Sequence, residues 1–177
     1  EDTVRVHPII TKGGEAVSAV PSDVRMETFV RGRTMDAIMD ANKKVDRALR
    51  AGAMAVGANV NIQPIPGYMP LAQDKNLSEV FQANAESLVG TDNVGYVAHR
   101  TGSTDMGDIS QLMPAIHPYV GGASGLGHGA DYVIEDYGLA VITAAKVLAG
   151  TAIDLMADGA NSAGKIIAGH RPNMTIA

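Results

Sequence analysis

Cysteine and tryptophan are absent from the 177 residues, and phenylalanine occurs only twice. Without thiols there are no disulfides and no thiolate metal ligands. A reducing compartment fits such a chain, so the expected location is cytoplasmic. Positive charge is in deficit as well. Fourteen Lys and Arg against 19 Asp and Glu leave a net charge of −5, which offers no attraction for nucleic acid or an anionic membrane surface. Unbroken apolar runs are short, none approaching the roughly 18 residues of a membrane helix, so no membrane partner is expected. What is present is ordinary for a globular protein: 46% hydrophobic and 19% charged residues, enough chain for one domain or two small ones. Glu1 and Asp2 lead directly into a strand pattern, with no initiator Met or signal-like segment, so we expect a piece of something longer.

Residues 3 to 66 read as a β-β-α-β unit. β-branched residues from Thr3 to Thr11 predict a strand, with Pro8 marking an edge or a bulge. Ala16 to Val20 reads as a second extended run. Asp23 to Arg31 alternates Val24, Met26, Thr28 and Val30 on one face. From Thr34, a reasonable N-cap, the period turns helical through Met35, Ile38, Met39, Val45 and Leu49, with Gly52 as the expected stop. Asn59 to Pro66 alternates again. Residues 67–70 form a hinge by composition. Beyond it we expect a helix over Leu77–Leu88, a short strand over Val94–His99, a helical turn over Ser110–Met113, a short strand over Ala115–His117, and a long helix over Tyr137–Met156. From Asp158 the chain is small, polar and poorly patterned.

Between Gly102 and Asp131 glycines crowd around two histidines and three acids. Glycine takes positive φ without steric cost, so this density serves turns and close backbone approach. Site residues often stand on such loops. His128 lies between Gly127 and Gly129, which suits either a close approach to an ion or substrate, or a mobile surface loop. Asp105 and Asp108 suit turn capping, with Asp108 able to N-cap a turn near Ser110. His99 ends a predicted strand, and His117 is pinned extended by Pro118. His7, in a strand beside Pro8, reads as structural or solvent-facing, and His170 as a surface residue. A hydrolytic metal site needs about three protein ligands per ion, and no H-x-D or H-E-x-x-H pattern supplies them here. GGASGLGHG lacks the Lys of a phosphate-binding loop, which weighs against a nucleotide or small-anion binder.

The stretches VHPIITKGGEAVSAVPSDVRMETFVRG, GSTDMGDISQLMPAIHP and GHGADY together resemble the M20 family of metallopeptidases and amidohydrolases, nearest its aminoacylase and aminobenzoyl-glutamate hydrolase branch. The resemblance runs from about Val4 to Leu155 and covers the C-terminal portion of that family. It implies an α/β fold class: residues 1–66 as the second half of an α+β lid, or dimerisation, domain, and 67–177 as the end of an α/β catalytic domain. It implies two divalent ions, zinc or manganese, that activate water to cleave N-acyl, aminobenzoyl or dipeptide-like amides. His128 matches the family's C-terminal metal-binding histidine. Arg31 matches a lid arginine that pairs with a substrate carboxylate or the opposite subunit. Ser18 stands where the family has a carbonyl-binding Asn, with a shorter reach. Asp105 falls in a motif that shapes the site, and His99 and His117 are further shaping candidates. No catalytic residue is assigned within the chain, since the other ligands and the general base would lie before Glu1. The resemblance implies a homodimer formed through the lid, a need for an N-terminal half, and no activity of the fragment alone. The alternative is a non-catalytic dimerisation or binding module built on the β-β-α-β unit.

Overall fold

The computed structural model describes residues 3–97, 99–100 and 102–175. The chain divides into two compact units, Glu1–Pro70 with His99–Ser103, and Leu71–Ala98 with Thr104–Ala177.

In the first unit, strand β1 (Arg5–Lys12) pairs antiparallel with β2 (Arg25–Arg31), Val6 facing Val30 and Pro8 facing Thr28. The register slips between Ile10 and Lys12, the irregularity that Pro8 had suggested nearby. The expected strand over residues 16–20 is instead a turn, closed by the Ala19 amide on the Ala16 carbonyl at 3.2 Å. Asp23 fastens the base of this connection, 3.0 Å from Arg25 and 3.1 Å from Lys12. Hydrogen bonding from Arg25, then from Lys12, holds its carboxyl below the usual range.

Helix α1 (Met35–Ala55) starts where predicted, the Thr34 hydroxyl accepting from the Ala37 amide at 3.2 Å. It buries Ala37 and Ala41 and meets β2. It also runs through Gly52, whose cost inside a helix is only about 1 kcal/mol. The stop is Gly57 at φ 68, where the Gly57 amide donates to Met54 and the Ala58 amide to Ala53. That pattern satisfies the last carbonyls of the helix. No strand forms over 59–66. Pro64 and Pro66 remove ladder donors there, so the observed order is β-β-α.

In the second unit, α2 (Lys75–Val89) begins two residues before the predicted helix because Asp74 is its N-cap, accepting from the Leu77 amide at 2.9 Å. A single 3-10 turn follows at Thr91–Asn93, and 94–97 form no strand. The last residues of the expected Val94–His99 strand include Ala98, which lies outside the described residues. Helix α3 spans Met106–Leu112. β3 (Ala123–Ser124) and β4 (Val133–Ile134) form a small antiparallel hairpin. A π-helical turn, Gly138–Thr143, leads into α4 (Ala144–Gly169). The chain is thus a mix of helices with two small antiparallel sheets.

α2 and α4 pack together, burying Ala85, Val147 and Ile166. Gly150 lets α4 approach the Asn84 side chain so closely that any Cβ would collide with it. Asn84 then donates to Asp154 at 2.6 Å. α4 is interrupted at Ala157–Ala160, where Asp158, Gly159 and Ala160 all have positive φ. Helix returns to Gly169, although the sequence from Asp158 onward shows little pattern.

Gly138–Gly169 is also long and apolar enough, by length and mean hydropathy (1.7), to cross a membrane. The expectation of no such stretch rested on unbroken apolar runs. Alanines between Val141, Leu148 and Ile153 keep the average high, while Thr143, Lys146 and Gly150 break the run. Only 11% of the window is buried, leaving Val141, Ile142, Leu148, Ile153 and Met156 exposed.

Candidate functional site

Thr104 opens the first flank of the glycine-rich segment. Its hydroxyl accepts from the Met106 amide at 3.3 Å, so it caps the entry to α3, and it also lies 3.2 Å from the Asp105 carboxylate. Asp105 itself makes no side-chain cap bond. Asp108, the expected N-cap, lies inside the first turn, its amide donating to the Asp105 carbonyl at 3.0 Å. The predicted turn began near Ser110, but the helix begins four residues earlier, which places Asp108 past the capping position.

Thr104 also reaches His117, its Oγ1 lying 3.3 Å from Nδ1 of the imidazole. The His117 ring stacks on Tyr119, centroids 5.8 Å apart. The His117 amide donates to the Gln73 side-chain oxygen at 2.7 Å, and the Asp74 amide donates to the Ala115 carbonyl at 2.9 Å. No strand forms over 115–117. These isolated bonds to the stretch before α2 hold it instead. Ser110, 1% exposed, completes the brace by accepting from the Ala72 amide and donating to the Gly107 carbonyl. Asp105 and His117 therefore meet through Thr104.

The second flank is the β3–β4 hairpin. Gly122, at φ 97, accepts from the amides of Glu135 and Asp136. A Cβ there would stand 2.7 Å from the Asp136 carbonyl. Gly125, at φ 87, passes so near the Asp131 carbonyl that a Cβ would overlap it. His128 sits at the hairpin tip with φ 67, a left-handed conformation that costs a non-glycine residue about 1–2 kcal/mol. Its side chain is exposed. The loop is thus a closed turn with defined bonds, and its strain falls on the histidine.

Arg31 ends β2 half-buried, its guanidinium 5.2 Å from the centre of the Phe29 ring. Ser18 is exposed in the β1–β2 connection, and His99 is exposed and groups with the first unit. His170, read as a surface residue, is inside: its side chain is 14% exposed and its Nδ1 lies 3.6 Å from the Asp74 carboxylate. Sequence reasoning missed Thr104, Gln73, Asp74 and Ser110. The only local signal among them was Asp74, a capping residue just before an amphipathic run.

Comparison with known proteins adds direction. No family model matches the chain. It is 32% identical over 165 residues to the Xaa-Arg dipeptidase of Mus musculus, and 30% identical over 166 residues to the Xaa-Arg dipeptidase of Homo sapiens. The chain is similar to these dipeptidases over that span. The similarity covers 87% of this chain but only 38% and 37% of those peptidases, so the chain spans well under half the length of the curated relatives it matches.

A metal centre would need several donors together, and among the described residues no group of three or more His, Asp or Glu could hold an ion. The donors among the described residues do not by themselves make a metal site. His128, exposed on its hairpin, is one imidazole.

Proposed function

We propose that this chain is the C-terminal portion of an M20-type metal-dependent amidohydrolase or peptidase, and that it is inactive alone. One observation carries the reading: similarity to dipeptidases runs through 87% of the chain while spanning less than two-fifths of theirs. The exposed apolar side of α4 supports it, because a surface bearing Leu148, Ile153 and Met156 suits burial against further protein. Residues 1–66 correspond to the second half of the lid, or dimerisation, domain, and residues 67–177 to the end of the catalytic domain. His128 contributes one ligand to a centre of zinc or manganese ions whose other ligands and general base lie on chain preceding Glu1. Positive φ at the hairpin tip projects its imidazole, consistent with a donor delivered to a site built elsewhere. Arg31 and Ser18 are assigned to substrate binding, and Asp105, His99 and His117 are assigned site-shaping roles. The substrate is an N-acyl or aminobenzoyl amino acid or a dipeptide. The relatives' name favours a dipeptide with arginine on the carboxyl side. A cytoplasmic homodimer is the form we expect.

The test is reconstitution. The 177-residue chain, alone and combined with a preceding M20-type segment, is assayed against Xaa-Arg dipeptides and N-acyl glutamates with zinc or manganese present. Hydrolysis by the combination only, with metal content and rate both lost in His128→Ala, is the expected result. Hydrolysis by the isolated chain would overturn its predicted inactivity. Unchanged metal content in His128→Ala would overturn the ligand assignment and favour a non-catalytic module.

A further inference from the structure

The residues that follow α4 return to the brace of the candidate site. The Asn173 amide donates to the Gln111 carbonyl at 2.9 Å, and the Asn173 side-chain amide donates to the Gln111 side-chain oxygen at 3.0 Å. The Met174 amide reaches the same carbonyl at 3.3 Å. Gln111 belongs to α3 and is 6% exposed. A few residues earlier, His170 ends α4 with its amide on the carbonyls of Ile166 and Ile167 and its ring against the Asp74 carboxylate. Its Nε2 is buried without a partner. Burying a polar atom in this way costs about 1–3 kcal/mol.

We propose that His170–Met174 is a clasp that positions His117. The clasp takes hold on two sides. Through Gln111 it fixes α3, whose entry carries Thr104. Through Asp74 it fixes the stretch whose Gln73 side chain accepts the His117 amide. His117 thus stands between two supports that share one fastening, and the Thr104 contact to Nδ1, at 3.3 Å, is longer than the 2.7 Å bond from the His117 amide to Gln73. A small shift of α3 relative to residues 71–74 opens that contact first, because hydrogen bonds weaken steeply beyond this distance. His170, Asn173 and Gln111 are positioning residues; none touches a reacting group. The clasp is independent of the reaction proposed above, since every bond in it lies within the 177 residues.

The test uses the whole 177-residue chain, with the His117 side-chain nitrogen resonances and backbone amide exchange read by NMR. In Asn173→Ala, the Nδ1 resonance of His117 should move toward that of a ring without a Thr104 partner. Exchange of the His117 amide should rise about tenfold, while amides on the packed turn Val147–Thr151 keep their protection. His170→Phe, which fills the same space without the Asp74 contact, should give the same displacement at His117. Asn173→Ser is the milder companion should the alanine variant fold poorly, and it should give an intermediate shift. An unmoved His117 resonance in folded variants would overturn the proposal. So would an equal loss of protection at His117 and at Val147–Thr151, because the tail would then act only on overall stability.

Discussion

His117 and His128 stand in one glycine-rich segment, yet they are held in opposite ways. His117 is fixed from outside, by Gln73 on its amide, Thr104 on its ring and Tyr119 against its face. His128 is fixed from within, by a tight hairpin whose glycines bring backbone within touching distance of backbone. The first arrangement spends several distant residues to hold one imidazole among neighbours. The second needs little beyond local geometry, and it leaves its imidazole exposed. A residue that shapes a surface suits the first arrangement. A residue that must reach something supplied by other chain suits the second.

Substitutions can break this contrast, and the largest effect is expected at the hairpin. Gly125→Ala combines φ 87 with a Cβ placed on the Asp131 carbonyl. It should destabilise the second unit by about 3 kcal/mol in urea unfolding, and a loss below about 0.5 kcal/mol would show that the hairpin is not the rigid element described here. Ser110→Ala comes next. It strips a buried partner from the Ala72 amide, and the orphaned donor should cost about 1–3 kcal/mol, read in the same experiment. Thr104→Val removes the cap on the Met106 amide and the contact to His117. About 1 kcal/mol is expected, with a change in the His117 ring resonances and none at His128. The smallest effect has the opposite sign. His128→Gly relieves a left-handed residue at the hairpin tip and should leave stability unchanged or raise it by up to about 1 kcal/mol. A marked loss would mean that the imidazole packs within the unit, against its exposure.

Much of this was legible from local pattern, because local pattern caused it. Thr34 announced the start of α1, and the apolar stripe announced the helix itself. The helix end was misread because two glycines competed: Gly52 lies within the helix, and Gly57 is the one with positive φ and two closing bonds. Alternation suggested a strand over 59–66, but alternation only permits pairing, and none forms there. His128 was conspicuous because its glycine neighbours are adjacent in sequence. Thr104, Gln73, Ser110 and His170 were not conspicuous, because each matters through a residue 13 or more positions away. Ser110 and Ala72 are 38 residues apart. No periodicity or motif encodes a meeting of that kind.

The partnership of Asp74 with both Ala115 and His170 has a consequence for how the second unit assembles. One short stretch must find partners that the ribosome delivers much later, the last of them roughly a hundred residues on. Closing so long a loop costs only slowly more than closing a shorter one, but it takes time and waits for the whole span to exist. α2 and the glycine hairpin can form while the chain is still being made. If residues 170–174 act as the clasp proposed above, the Thr104–His117 pair is fully braced only once α4 has folded and they have come back. A nascent chain halted within α4 would therefore carry its hairpin in place and its braced histidine still loose, exposed to chaperones and proteases.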